Sequence, residues 1–180
     1  MLTRPYPTGC GRCAMERGVA GPMVRLQRIR KAGMAAMLTI WLSGCAEAPT
    51  AMDLRTFDKP EATNHFLVCD PVLCRSVPDL PAPRFVQSPE RLGAALREVL
   101  RDESRLTLTA GDNLSGQWIY VQRSAVFRFP DAIWVQVIPL PDGGSTLALY
   151  SRSRYGRYDF GVNEARLRRW LSAITAVLAG

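Results

Sequence analysis

Histidine is almost missing from this chain: His65, in Thr63-Asn64-His65-Phe66, is the single one among 180 residues. Its ordinary pKa near 6.5 would suit a general base or a metal ligand. Hydrolysis would also need a nucleophile, such as Ser151 or Ser153, and an orienting carboxylate. No Gly-x-Ser-x-Gly turn, paired-carboxylate signature or His-x-x-x-His spacing accompanies it. No catalytic residue, metal ligand or cofactor is therefore assigned, and His65 is expected to be partly exposed and hydrogen-bonded locally. Long apolar runs are missing too. Nothing free of charges approaches the roughly 20 residues that a bilayer-spanning helix needs. Repeats and low-complexity segments are also absent. Cys10-Gly-Arg-Cys13 has the spacing of half a metal or redox site, but the second ligand pair and a βαβ context are missing.

What is present begins with a basic cluster, Arg25, Arg28, Arg30 and Lys31, followed by the apolar run Ala35 to Leu42. A positive stretch, an apolar stretch and small residues before a processing point form an export signal. Leu42-Ser43-Gly44-Cys45 resembles the bacterial lipoprotein box, which implies a diacylated Cys45 as the mature N-terminus. Residues 1–44 then read as a leader, with 1–22 an over-long gene start before Met23 and 23–44 the signal peptide. One acyl chain holds a protein reversibly, whereas several bind stably. Ala46, in place of Asp, points to the periplasmic face of the outer membrane. The cut also changes the charge: the formal +7 includes seven basic and one acidic side chain in residues 1–44. Cys45 to Gly180 holds 16 basic against 15 acidic side chains, so it exerts no long-range pull on polyanions, and no nucleic-acid partner is expected.

The remaining 136 residues suit one domain. Residues 45–55 are small and polar at their start and read as a flexible tether, with a single globular domain over 56–180. Pro78, Pro81, Pro83 and Pro89 predict an extended, irregular loop over 77–89. A helix over 89–103 follows, with Ser88 as N-cap and Leu92, Ala95, Leu96, Val99 and Leu100 on one face. The period then changes to two. Leu106 and Leu108, then Trp118 to Gln122, form a hairpin about Gly111-Asp112-Asn113. Phe127 and Phe129 continue the second strand or start another. A strand over Ile133 to Ile138, the turn Pro141-Asp142-Gly143-Gly144 and a strand over Thr146 to Arg154 make a second hairpin. Asn163 is placed to cap a last helix whose stripe is Leu167, Trp170, Leu171, Ile174, Val177 and Leu178. Short turns favour antiparallel pairing. The expected fold class is α+β and two-layered, an antiparallel sheet of about four to five strands with two helices packed on it.

Residues 151–166 are the densest polar and glycine-containing stretch. Ser151, Ser153, Arg154, Gly156, Asp159, Gly161, Asn163 and Arg166 resemble the Ser-x-Ser-Arg-x-Gly-x-x-Asp-x-Gly-x-Asn-x-x-Arg signature of bacterial domain-of-unknown-function family 1499. Asn64, Cys69, Pro71 and Cys74 look like the amino-terminal segment of its alphaproteobacterial-type members, so the resemblance covers about residues 60–180. It implies membership without a known activity. Two arrangements fit these residues. In one, Arg152, Arg154 and Arg157, with Tyr155 and Tyr158, line a concave site for a carboxylate or phosphate. In the other, an internal brace forms, with Arg154 paired to Asp159, Asn163 capping the helix and Arg166 anchoring it.

Cys69 and Cys74 are close in sequence, and an exported protein meets an oxidising compartment, so a disulfide is expected. The competing thiol-redox reading lacks the two-residue spacing and the helix N-terminus. Trp118, Trp134 and Trp170, with Tyr120 and Phe127, could form an aromatic pocket for sugars or lipid, but core packing is the simpler expectation. Together these readings describe a lipid-anchored envelope protein, held at the membrane through Cys45, that binds an envelope protein or a small anionic ligand. A hydrolase or transferase acting on envelope material through the Ser151 to Asp159 loop is the alternative.

Overall fold

A computed structural model describes residues 49–180. The expectations for the leader, Cys10, Cys13 and Cys45 lie outside those residues. Eight elements follow in order: β1 His65–Cys69, β2 Leu80–Pro81, α1 Pro89–Arg101, β3 Leu106–Asp112, β4 Gln117–Arg123, β5 Pro130–Pro139, β6 Ser145–Ser153 and α2 Val162–Ala179. The strands form one sheet in the order β2-β1-β6-β5-β4-β3.

The α+β class with two helices on a sheet holds, but the sheet has six strands and is mixed. The difference lies in the segment before α1. β1 pairs antiparallel with β6 and places His65 opposite Arg152. β2 is only two residues long and runs parallel to β1. It emerges from the proline-rich stretch read as irregular, and at this edge Pro81 needs no partner for the N–H it lacks.

Alternation sorts the side chains between two faces. Leu147 and Leu149 of β6, Ile133, Val135 and Val137 of β5, and Trp118 and Tyr120 of β4 pack against Leu92 and Leu96 of α1 and Leu167, Trp170 and Ile174 of α2. Trp118, Tyr120 and Trp170 are thus core residues. Trp134 faces the other side and is half-buried, and Phe127 is 74 % exposed in the turn between β4 and β5, so it extends no strand.

On the outer face a second cluster joins Leu67, Ile138, Ala148 and Tyr150 to Leu54 and to the Cys69 to Cys74 loop. The tether expected over 45–55 is therefore shorter at its C-terminal end. Leu54 is 1 % exposed. Its N–H donates to Gln136 Oε1 at 2.8 Å, while Gln136 Nε2 donates to Asp53 and Trp134 Nε1 donates to the Thr50 carbonyl. Residues 50–55 thus form a strap across the outer face, bonded to Trp134 and Gln136 of β5.

The helix starts follow local chemistry. Ser88 Oγ accepts the Arg91 N–H, with Pro89 in the first turn, as expected. At α2 the expectation is corrected. Gly161, at φ 76°, is the N-cap and Asn163 sits inside the first turn. The capping acceptor is Asp159, whose carboxylate takes the Gly161 N–H at 3.1 Å and the Asn163 N–H at 3.0 Å. This frees the Asn163 amide to turn inward.

Candidate functional site

The resembling stretch divides into residues turned into the fold and residues turned out of it. Ser151 lies on the helix-facing side of β6, fully buried. Its hydroxyl donates to Asn163 Oδ1 at 2.6 Å and accepts from Arg166 Nη1 at 2.7 Å. Arg166 also donates from Nη1 to Asn163 Oδ1 at 2.7 Å, from Nε to Gln122 Oε1, and from Nη2 to Asp131 at 2.6 Å. The Asp131 and Arg166 side chains are 10 % and 6 % exposed. Asn163 Nδ2 donates to Asp159, to the Asn64 carbonyl and to Ser153 Oγ, and Asn64 Nδ2 donates to the carbonyls of Gly156 and Ser153. A guanidinium buried between a sheet and a helix demands such a set of acceptors. One polar knot thereby ties β4, β5, β6, the start of α2 and the residue before β1.

This is the internal brace, with different partners. Arg154 does not pair with Asp159, because that carboxylate is occupied by the α2 start. The ion pair belongs to Arg166 and Asp131 instead. Gln122 and Asp131 were missed from sequence, although each is a polar residue at an inward position of an otherwise apolar alternation. The same burial removes Ser151 from use as a nucleophile, since its hydroxyl faces α2.

The outward residues gather differently. Arg152 and Arg154 line one open groove of about 430 Å³ together with Pro49, Thr50, Trp134 and Ser153. Arg152 also meets Arg157 across a smaller groove bordered by Glu61 and Asn64. Among the described residues, Arg152, Arg154 and Arg157 form no ion pair, whereas Arg55, Lys59, Arg84, Arg168 and Arg169 each have a carboxylate within 2.8 Å. Tyr155 and Tyr158 are exposed but line neither of these two grooves. Trp134, its indole fixed to Thr50, lines the groove, although core packing was the simpler expectation for it.

His65 lines none of these grooves. Its Nε2 lies 2.9 Å from the Pro60 carbonyl, and its ring packs 5.5 Å from that of Tyr150. Burial pushes the Tyr150 phenol up to about 12, and its hydroxyl has no partner among the described residues. Elsewhere on the outer face, the Arg55 side chain beside Asp53 holds that carboxyl down at about 2. Arg84 likewise lowers Asp70. Cys69 and Cys74 stand at disulfide distance, Cα to Cα 6.3 Å. Among the described residues no three His, Cys, Asp or Glu side chains gather as a metal site, and no helix is long and apolar enough to cross a membrane.

A small α+β domain with a buried polar knot and an open cationic groove is the class that fold and site define. The family model described as "Protein of unknown function (DUF1499)" matches residues 42–174, and the chain belongs to that family. No curated protein matches it. Among solved structures it is similar to TTHA0849 from Thermus thermophilus, at 12 % identity and a TM-score of 0.27, over 54 % of this chain and 90 % of that one. A likeness at that level carries no inference about this protein.

Proposed function

We propose that this protein is a lipid-anchored component of a bacterial cell envelope, held through Cys45 at the periplasmic face of the outer membrane, and that its domain is a non-enzymatic binding module. The ligand is a small anion, a carboxylate or phosphate, taken between Arg152 and Arg154 against the Trp134 ring. One observation carries this reading: two guanidinium groups two residues apart at the end of β6 line one open groove without a carboxylate partner among the described residues. Arginine offers two parallel N–H donors to such oxyanions, and an unpaired guanidinium has no internal bond to give up first.

Calorimetric titration with inorganic phosphate and with citrate tests the groove. Saturable binding is expected, lost in Arg152→Ala and Arg154→Ala while melting temperature is kept. No heat with either anion, or binding unchanged in both variants, contradicts the assignment. Labelled palmitate tests the anchor separately, since incorporation is expected in the native chain and not in Cys45→Ala.

A further inference from the structure

Two loops meet at one end of the sheet: residues 124–129 between β4 and β5, and 154–161 between β6 and α2. The Arg154 N–H donates to the carbonyl of Pro130, the residue that follows the first loop, at 3.2 Å and holds the two loops side by side. Both present apolar side chains to solvent. Val126, Phe127, Phe129, Tyr155, Tyr158 and Phe160 are all more than half exposed, Phe160 by 97 %. The Phe127 and Phe129 rings are 5.6 Å apart, and Phe129 lies 6.1 Å from Tyr155. Arg128 and Phe160 have φ of 57° and 54°, a left-handed backbone that costs energy for residues with a side chain. Neither gains burial in return.

Cations accompany the rings. Arg128, Arg154 and Arg157 belong to the same loops, Arg123 at the end of β4 donates to the Arg128 carbonyl, and none of the four forms an ion pair among the described residues. Asp159 of the second loop turns inward to the α2 start, and Asp131, near the start of β5, turns inward to Arg166. This leaves an aromatic tip of one charge sign, complementary to an anionic surface.

Where the chain enters the fold gives an independent indication. Pro49 lines a groove of about 640 Å³ with Arg128, Phe129, Arg154 and Tyr155. Cys45 precedes it by four residues, a span of at most about 14 Å when fully extended. A lipid on Cys45 would therefore hold a bilayer beside this tip.

We propose that this end of the domain docks on the surface of an anionic phospholipid bilayer, with the aromatic rings at the boundary of headgroups and acyl chains and the arginines on the phosphates. Aromatic side chains favour that boundary, and each arginine near an anionic surface contributes about fivefold in affinity. The orientation rests on the lipid-anchor reading; the contact itself does not.

The test uses the full chain carrying Cys45→Ala, which excludes acylation, and vesicles of phosphatidylglycerol mixed with phosphatidylcholine. Phe127→Ser combined with Phe160→Ser is expected to reduce co-sedimentation at least about tenfold, because binding scales with the apolar area inserted. The leader is the same in parent and variant, and the exchange of residues 124–129 reads the tip itself. Amide exchange over 124–129 in the parent is expected to slow on the vesicles. Equal binding of parent and variant, no binding by either, or unchanged exchange in that loop would each overturn the docking surface. Palmitate labelling of the native chain separates the two readings. Tip-dependent binding without palmitate leaves the surface standing and removes the anchor, and palmitate without tip dependence does the reverse.

Discussion

Replacing Asp131 by alanine would leave the Arg166 guanidinium inside the protein without its counter-charge. The pair is closed at 2.6 Å, with both side chains at least nine-tenths buried. Removing one partner of such a pair costs about 3–5 kcal/mol, since the remaining charge stays desolvated. A domain of this size has a total stability of about 5–15 kcal/mol, so the loss takes a large part of it. At about 3–5 °C per kcal/mol for this chain length, the melting midpoint is expected to fall by about 10–25 °C. Urea unfolding followed by tryptophan fluorescence reads the same loss as a lower midpoint with an unchanged slope. Adding Arg166→Met to Asp131→Ala should restore part of it, because the orphaned charge is then gone. A fall below about 1 kcal/mol, or a double variant that loses the sum of the single ones, would refute the brace and the reasoning behind it.

Three further outcomes follow from the outer face. The Asp53 carboxyl, held at about 2 by Arg55 against an ordinary value near 3.9, contributes stability that is complete above about pH 4 and fades as pH falls towards 2. Carboxyl titration by NMR should find it there and find it raised in Arg55→Ala. Tyr150, pushed up by burial to about 12, should stay un-ionised in ultraviolet titration past the ordinary phenol value near 10, and a normal transition at position 150 would contradict its burial. Opening the Cys69 and Cys74 bridge by Cys74→Ser should cost no more than about 2–3 kcal/mol, since it closes a short loop, and a larger loss by denaturant unfolding would assign the loop a further role.

Much of the fold is legible in residue order because local chemistry and long-range packing agree there. Ser88 and Pro89 mark the start of α1, Pro141 to Gly144 mark the β5 to β6 turn, and the alternation of Ile133 to Ile138 marks a central strand. The strands β1 and β2 were not legible, since five and two residues without turn residues at fixed spacing acquire strand geometry only by pairing with β6 and with each other. The strap was hidden for a similar reason. Met52, Leu54 and Phe57 show no helix or strand period, and the strap is held by Gln136 and Trp134, some eighty residues away. In the 151–166 stretch two pairings differ from the expected brace. Spacing shows that Ser151 and Ser153 share a face, but not that Asp131, a strand away, is the carboxylate that meets Arg166. Asn163 resembled a cap by type, yet Asp159 holds that position and turns the amide into the knot.

The central claim is a division of labour in which the inward residues hold the domain together and the outward arginines meet the ligand. Chemical-shift mapping with inorganic phosphate and citrate tests it most directly. The account predicts that the Trp134 indole and the Arg152 and Arg154 Nε–H signals move with a common saturation curve while the Gln122 and Asn163 side-chain amides stay fixed. Movement of the buried amides with the groove signals unmoved would contradict it.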